Sequence, residues 1–264
     1  MNLRLQSLRT TAHLSASQLK TFVMCPRKYF LAYVERVQPG FRPVAFAFGT
    51  AWHDAIGAWL SSLGTGAMST AQLEAHLRDE LHAQIHGDGP PVLFDHDEDE
   101  GTLADKAIAM LSAFLSAVPP PERALDVERA FSLDLTDPDT GQVLPLPLIG
   151  AMDAVVVEGG ETVIWELKTA ARRWGADQLA YDMQPTVYQL AARELGHRDA
   201  AVKLLVTTKA AKPAVQVERL SRGPGDERDL VATAKSLLNA VAAGVDHPAR
   251  GWQCKGCQYA GACR

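Results

Sequence analysis

The first half of the chain has hydrophobic positions three or four residues apart, a spacing that predicts amphipathic helices. Ser15 and Ser17 are suitable N-caps for the first of them, and Pro26 is suited to the first turn of the next. An acidic segment, which we interpret as a solvated loop, separates the last two. The predicted helices span 18–25, 26–37, 46–63, 69–87 and 102–118.

β-Branched and aliphatic residues then predict strands, beginning after the proline-rich segment 119–123. The glycine pair at 159–160 predicts a hairpin between the second and third strands. A helix over 178–195, ending at Gly196, precedes the last two strands, and another over 226–244 follows them. The predicted strands span 127–135, 143–157, 162–168, 202–208 and 214–220. This order of elements predicts an α/β fold.

These patterns divide the chain into four predicted segments. They are a flexible tail over 1–14, a helical part over 15–125 with an acidic insertion at 88–101, an α/β core over 126–245, and a cysteine-containing tail over 246–264 that packs with Cys25 as one unit. The longest apolar runs are shorter than a membrane span, and the first 15 residues lack the apolar core of a secretory signal. We therefore expect a cytoplasmic protein that does not enter membranes.

The net charge of −5 is distributed unevenly over the 264 residues. Residues 1–42 contain seven Lys or Arg and one Glu, whereas residues 74–105 contain ten Asp or Glu and one Arg. Local charge decides whether a phosphate backbone is attracted, so the acidic total does not exclude a nucleic-acid partner. Arg172, Arg173 and either Lys209 or Lys212 follow predicted strands and are candidate phosphate contacts. The pattern GxxxxGK[ST] is absent, so no nucleotide cofactor is predicted.

Candidate chemistry is concentrated in the predicted hairpin. Asp153 lies on its first strand and Glu166 on its second, and Lys168 shares a face with Glu166 because side chains alternate along a strand. Two carboxylates beside a lysine can hold Mg²⁺ or Mn²⁺ next to a water and a phosphate. A salt bridge across a surface hairpin is the alternative, but the apolar neighbours of Glu166 favour burial. His53, on an apolar helix, is either packed in the core or a ligand if that helix crosses these strands.

The chain has four cysteines, and their spacing predicts a single metal or cluster site. Cys25 is near the beginning, and Cys254, Cys257 and Cys263 form a C-x2-C-x5-C pattern near the end. Without a predicted export signal, metal binding is favoured over disulfides. Four thiolates can hold either zinc or an iron–sulphur cluster. The lack of a second C-x2-C pair favours the cluster.

Five stretches occur in the order typical of one family: SASQLKTFVMCPRKYFLAYV, FGTAWHDAI, LIGAMDAVVVEGGETVIWELKT, YDMQPTVYQLAA and CKGCQYAGAC. On these motifs the chain resembles the RecB-like branch of the PD-(D/E)xK nucleases that carry an iron–sulphur cluster. This branch includes the nuclease domain of AddB-type recombination subunits and CRISPR-adaptation nucleases. The resemblance implies a restriction-endonuclease-like core and covers nearly the whole chain, apart from the acidic insertion and the N-terminal tail.

The resemblance implies a role for each matching residue. His53, Asp153, Glu166 and the Leu167 carbonyl would hold Mg²⁺ or Mn²⁺, and Lys168 would be the catalytic lysine. Gln184 and Tyr188 would be the pair that supports the site and contacts DNA. Pro185 leaves two placements for Gln184, as a helix cap or one turn from Tyr188 on the helix face. The four cysteines would hold a [4Fe-4S] cluster that connects the two ends of the chain.

The implied activity is metal-dependent hydrolysis of DNA, by an exonuclease acting on single-stranded or frayed ends. The biological setting would be recombination, repair, phage replication or CRISPR adaptation, with a possible helicase or recombination partner. The alternative is a non-catalytic DNA-end-binding or assembly subunit that keeps the fold and the cluster. The presence of all four residues His53, Asp153, Glu166 and Lys168 favours the enzyme.

Overall fold

The structure is a computed structural model that describes residues 3–197 and 200–263. A five-residue π-helical segment, Phe30–Val34, extends the third helix, and a short 3-10 turn covers Trp252–Cys254. The α-helices are α1 Leu3–Leu8, α2 Ala16–Met24, α3 Pro26–Tyr29, α4 Val44–Ser62, α5 Thr70–His86, α6 Glu100–Ala117, α7 Ala176–Tyr181, α8 Gln184–Glu194 and α9 Pro224–Ala242. None of the described helices is both long and apolar enough to cross a membrane.

The five long strands form one mixed sheet in the order β3-β4-β5-β6-β7, which confirms the predicted α/β class. β4 and β5 are antiparallel, β5 and β6 are parallel, and β6 and β7 are antiparallel. Two short strands, β1 and β2, pair separately. The strands are β1 Arg42–Pro43, β2 Val92–Leu93, β3 Arg123–Leu133, β4 Leu148–Glu158, β5 Glu161–Ala170, β6 Ala201–Thr208 and β7 Val215–Leu220.

The chain forms two compact units. Unit 1 contains the described residues of Met1–Arg42, Ala130–Ala151 and Arg222–Arg264, and unit 2 contains those of Pro43–Arg129 and Met152–Ser221. This division differs from the boundaries predicted at 125 and 245. Pattern reasoning groups residues that are adjacent in sequence, whereas here each unit combines segments that are distant in sequence.

Unit 1 brings residues from both ends of the chain together. The Arg27 guanidinium lies 2.5 Å from carboxylate oxygens of both Glu35 and Asp246. The Arg27 backbone N–H donates to the carbonyl of His247, and that of Gly40 donates to the carbonyl of Gln258. Backbone bonds are directional, so these contacts set the register between the N-terminal helices and the C-terminal tail.

The segment predicted as a flexible tail contains α1 and a buried residue. Leu14 is completely buried and forms a parallel bridge with Leu148. Its N–H donates to the Pro147 carbonyl, and its carbonyl accepts from the Ile149 N–H. The long strand predicted to begin at 143 instead begins at Leu148, because Pro145 and Pro147 cannot donate to a strand ladder.

The predicted hairpin at 159–160 is confirmed, and two glycines enable its turn. Gly159 and Gly160 have φ values of 59° and 77°, as a two-residue hairpin turn with left-handed residues requires.

Gly150 is constrained differently, by packing. A Cβ added there would lie 2.5 Å from the ring of Phe131, so Gly150→Ala would force that ring to move.

The helix predicted over 178–195 is divided into α7 and α8. Pro185 has no N–H to donate to the carbonyl of Tyr181 and its ring would clash with that carbonyl, so the helix cannot run through, and the break falls at Asp182 and Met183. Asp182 Oδ1 accepts a hydrogen bond of 2.9 Å from the Gln184 N–H at the new helix start. α8 ends before Gly196, which has a φ of 90°, as predicted.

The core of unit 2 is a cluster of buried aromatic side chains from α4, α6 and β5. Trp59 and Trp165 stack with their ring centroids 6.5 Å apart, and Phe114 meets both edge-on. Aromatic pairs in these arrangements stabilise a core by about 0.5–1.5 kcal/mol beyond the burial of their area. The cluster therefore holds α4 against β5, the two elements that supply His53 and Glu166.

The predicted acidic loop contributes to helix structure at its end. Asp99 is the N-cap of α6, and its Oδ1 accepts from the Thr102 N–H at 2.7 Å. Lys106 forms an ion pair with Glu98. The interpretation of the acidic insertion at 88–101 as a solvated loop is therefore wrong for Glu98, Asp99 and Glu100, which support the start of α6.

An ion pair in unit 1 between a carboxylate of low exposure and a partly exposed lysine makes the stability of the fold depend on pH. Asp137 contacts Lys235 and accepts a hydrogen bond from the Asp139 N–H, and these contacts lower the pKa of Asp137 to about 2. A lowered folded-state pKa gives stability that is present above the ordinary value of about 4 and is lost as the pH falls towards 2.

We therefore predict that Asp137→Asn lowers the unfolding temperature at neutral pH, and that its difference from the parent shrinks between about pH 4 and pH 2. Thermal denaturation across this range tests the prediction, with the exposed Asp134→Asn as the control. A difference that stays constant down to pH 2 would contradict it.

Candidate active site

The two predicted carboxylates meet at one end of the β4–β5 ladder. Ala154 pairs with Trp165, so the next positions along the ladder are Asp153 and Glu166. Asp153 Oδ2 accepts a hydrogen bond of 2.8 Å from the Leu167 N–H, which fixes this carboxylate beside β5. The resemblance implies that Leu167 acts through its carbonyl, and that role stays a prediction.

α4 brings His53 to the same place. His53 Nδ1 lies 3.1 Å from Asp153 Oδ1, and the histidine side chain is 31% exposed. The helix therefore crosses the carboxylate strands, which was the condition for reading His53 as a ligand. Because Asp153 contacts His53 through one oxygen and Leu167 through the other, it is held from two sides.

Glu166 is the most deeply buried charged group of the site, with 1% of its side chain exposed. Lys168 Nζ lies against its Oε1 as an ion pair, which confirms that the two side chains share a face of β5. Burial raises the pKa of the Tyr188 hydroxyl, and the negative charge of Glu166 adds to the increase, so this hydroxyl also interacts with the carboxylate. A carboxylate has acceptor sites for more than two such partners, and a buried one is suited to binding a cation.

α8 completes the site through a chain of hydrogen bonds. Lys168 Nζ donates to Gln184 Oε1 at 2.9 Å, and Gln184 Nε2 donates to the Tyr188 hydroxyl at 2.8 Å. Gln184 is the first residue of α8, so it lies one turn from Tyr188 on the same face. Of the two placements that the sequence left open, the structure has the one on the helix face.

Sequence reasoning missed Asp182, which supports this chain. Its negative charge acts on Lys168, and its carboxylate caps the start of α8. The available signal was an Asp two residues before Gln184, ahead of a proline that begins a helix.

Burial and mutual charge shift the pKa values of these groups. Burial raises the pKa of Glu166 to about 7, and Asp153 adds to the increase while Lys168 opposes it. Burial would also raise the pKa of Asp153, but His53 and Lys168 outweigh it and hold that pKa below its usual value. Burial would lower the pKa of Lys168, but the two carboxylates outweigh it and raise that pKa.

These groups fit a hard divalent cation. Two adjacent carboxylates with a histidine beside them supply oxygen and imidazole ligands, and one of the carboxylates is almost completely buried. The raised pKa of Glu166 reflects the cost of a second buried negative charge, which a cation would offset. His53, Asp153 and Glu166 are therefore the residues that could hold Mg²⁺ or Mn²⁺.

The candidate phosphate contacts differ in their surroundings. Arg172, Arg173 and Lys212 are exposed. Lys209 Nζ lies 4.2 Å from the centroid of the Phe48 ring, and burial lowers the pKa of this lysine. Lys209 is thus engaged in packing, which leaves the two arginines and Lys212 as candidates.

The four cysteines all belong to unit 1, and all four line one cavity of about 90 Å³. Their thiols are free, and Cys25, the most buried of them, lies between α2 and α3. A cavity of this size is several times larger than the volume that one water requires. The structure therefore places the cysteines of both chain ends around a space larger than one ion needs.

Comparison with solved structures gives the fold. A candidate exonuclease from Eubacterium rectale aligns with a TM-score of 0.59 at 14% identity, covering 100% of this chain and 93% of that chain. A second structure, named SSO0001, aligns with a TM-score of 0.43 at 14% identity over 98% of this chain and 91% of that chain, a likeness too low to support an argument. No curated protein matches the sequence.

The family model described as the PD-(D/E)XK nuclease superfamily matches residues 13–264. Members of this superfamily are in general metal-dependent nucleases. The match includes the hairpin with Asp153, Glu166 and Lys168, the helix with His53 and all four cysteines. The chain belongs to the PD-(D/E)XK nuclease superfamily.

Proposed function

We propose that this chain is a divalent-metal-dependent deoxyribonuclease that degrades single-stranded or frayed DNA from an end. The observation that carries the proposal is the convergence of His53, Asp153, Glu166 and Lys168 in one buried cluster, with Lys168 hydrogen-bonded to Gln184. A binding module has no need of this arrangement, in which two adjacent carboxylates are buried and Lys168 offsets only part of the cost of the second negative charge.

In this proposal Asp153, Glu166 and His53 hold Mg²⁺ or Mn²⁺, together with the Leu167 carbonyl. The bound ion supplies a water of lowered pKa and neutralises negative charge on the phosphate. Lys168 stays protonated because both carboxylates raise its pKa, so its ammonium can donate to a phosphate oxygen as charge develops there. Gln184 accepts from Lys168 and thereby fixes the direction of that donor.

Exposed side chains after β5 favour single-stranded DNA over duplex DNA as the substrate. Arg172 and Arg173 follow the strand that carries Glu166 and Lys168, and Tyr181 at the end of α7 is 81% exposed. Arginine contacts phosphate, and an exposed aromatic ring can stack on an unpaired base. These contacts read no base edges, so we expect little sequence preference.

We further propose that Cys25, Cys254, Cys257 and Cys263 hold a [4Fe-4S] cluster, as in the RecB-like branch with such clusters. The support is the four thiols around one cavity with room for more than a single ion. A zinc ion is the alternative occupant. In either case the ligands come from both ends of the chain, so binding contributes to the stability of unit 1.

The test is digestion of end-labelled DNA with Mg²⁺ or Mn²⁺. We expect linear single strands to be degraded, circular single strands to be spared, and blunt duplexes to be degraded slowly. Cutting of circles as fast as linear strands would show an endonuclease. Tight binding of ends without any cleavage would show a non-catalytic subunit, such as one that assembles with a helicase or recombination protein.

A further inference from the structure

Two histidines and a glutamate form a cluster on helices that the active site does not use. His82 and His86 lie near the end of α5, and Glu100 lies in the first turn of α6. His82 Nδ1 is 2.7 Å from Glu100 Oε1, and His86 Nε2 is 2.7 Å from Glu100 Oε2. The two imidazole centroids are 4.4 Å apart.

The spacing of the histidines explains this geometry. Residues four apart on an α-helix face the same side, so both imidazoles reach the same carboxylate from α5. One nitrogen from each ring and one carboxylate oxygen all lie within 4.8 Å of one another. Three ligand atoms at this separation can coordinate one ion without movement of either helix.

We propose that His82, His86 and Glu100 form a second metal site, which binds Zn²⁺. Two imidazoles with one carboxylate are a zinc ligand set that leaves a fourth position for water. Imidazole nitrogen favours zinc over Mg²⁺, which prefers oxygen ligands and keeps its waters. The site therefore differs in metal preference from the oxygen-rich cluster around Asp153 and Glu166.

Hydrogen bonding alone is the simpler explanation of the cluster, but in that case the three side chains would contribute little to stability. His82, His86 and Glu100 are 65%, 55% and 37% exposed, and ion pairs at such exposure are largely screened by solvent. If both histidines were charged, their rings would also repel each other at 4.4 Å. A metal ion uses both imidazoles in their neutral form and removes that conflict.

An ion bound by these three residues would affect the structure around it. They flank the segment 87–99, so a bound ion would connect the end of α5 to the beginning of α6. That segment carries Asp95, Asp97, Glu98 and Asp99, whose negative field attracts cations. Zinc binding should therefore stabilise unit 2, and it should order the acidic segment at both of its ends.

The test compares thermal unfolding of the protein, with its cysteine site loaded and Mg²⁺ in excess, before and after titration with Zn²⁺. We expect Zn²⁺ to raise the unfolding temperature of the parent by several degrees, because a ligand that binds only the folded state stabilises it. The rise should be absent in the His82→Gln, His86→Gln double variant. The control is His96→Gln, which changes a 93% exposed histidine of the same segment and should respond like the parent.

X-ray absorption at the zinc edge provides a second measurement that does not depend on stability. We expect nitrogen and oxygen neighbours at about 2.0–2.1 Å, without the sulphur neighbours at about 2.3 Å that a cysteine site would give. His86→Gln alone, at a position more than half exposed, should weaken binding while preserving the fold.

Two outcomes would overturn the proposal. One is a zinc response that persists in the double variant, as would occur if zinc bound at the neighbouring group Asp54, His76 and Glu80 instead. The other is a sulphur shell around the zinc that binds during the titration, after the spectrum of any zinc present beforehand is subtracted. Each identifies a different location for the ion and is independent of whether the chain cleaves DNA.

Discussion

Glu166→Gln is expected to abolish DNA cleavage while the protein remains folded. The substitution keeps the size of the side chain but removes a negative charge that a divalent metal requires. The loss of one preorganised electrostatic contribution to a transition state typically costs about 10²–10³-fold in rate. Loss of a direct metal ligand should cost at least that much.

The apo variant should not be less stable than the parent. Glu166 is 1% exposed and its pKa is raised to about 7, so its ion pair with Lys168 offsets only part of the cost of burying its charge. In the variant Lys168 still donates to Gln184 and can donate to the new amide oxygen, so its ammonium keeps hydrogen-bond partners. Mn²⁺ should raise the unfolding temperature of the parent but not that of Glu166→Gln, because only the parent holds the ion tightly.

A matched control lies on the same strand. Glu161 is 68% exposed and pairs with Arg219 at the surface, where an ion pair contributes at most about 1 kcal/mol. Glu161→Gln should cleave DNA like the parent and keep its response to Mn²⁺. Cleavage at the parental rate by purified Glu166→Gln would refute the assignment of this carboxylate.

Substitutions of the residues that support the site should lower the rate of DNA cleavage to different extents. Lys168→Ala removes the only ammonium that contacts Glu166 among the described residues, and it should be as inactive as Glu166→Gln. Tyr188→Phe removes a hydroxyl that accepts from Gln184 and interacts with Glu166 but does not hold the metal in our proposal, so we expect a smaller decrease, of about 10–100-fold.

Local chemistry made part of this site predictable from the sequence. The alternation of side chains placed Glu166 and Lys168 on one face, and the glycine pair at 159–160 placed β4 beside β5. The position of His53 was not predictable in the same way. It reaches Asp153 only because α4 packs on β5 through Trp59 and other core residues, a contact between segments distant in sequence.

The features that sequence reasoning missed or misjudged share a physical cause. Glu100 was assigned to a solvated loop, so its contacts with His82 and His86 on another helix were not predicted. The two compact units likewise combine distant segments, which no composition change along the chain marks. Periodicity predicts the elements and their faces, whereas the pairing of those faces depends on packing across the whole chain.

The other large effect expected concerns the cysteines. Protein prepared and kept without oxygen should contain about four iron atoms per chain, as a [4Fe-4S] cluster with four thiolate ligands requires. Zinc in place of iron would refute the cluster but preserve a four-cysteine site. Iron analysis and the visible absorption spectrum distinguish the two.

Cys25→Ala should lose the metal and strongly destabilise unit 1. Cys25 and the other three cysteines are far apart in sequence, so the metal that we propose they share would close a loop that contains most of the chain. By the chain-entropy model for cross-links, a loop of this length contributes about 5 kcal/mol. The contacts of Arg27 with Asp246 and His247 would remain, but one partly exposed ion pair and one backbone hydrogen bond contribute much less than this.

Met24→Ala is the matched control for Cys25→Ala. Met24 also has a sulphur atom and lines the same cavity, yet it is 41% exposed and has no thiol to ligate iron. It should retain the iron and nearly all of the stability. Because Asp153, Glu166 and His53 belong to unit 2, any activity left in Cys25→Ala should show the parental requirement for Mg²⁺ or Mn²⁺. A Cys25→Ala protein with the iron content and unfolding temperature of the parent would show that the four cysteines do not share one metal site.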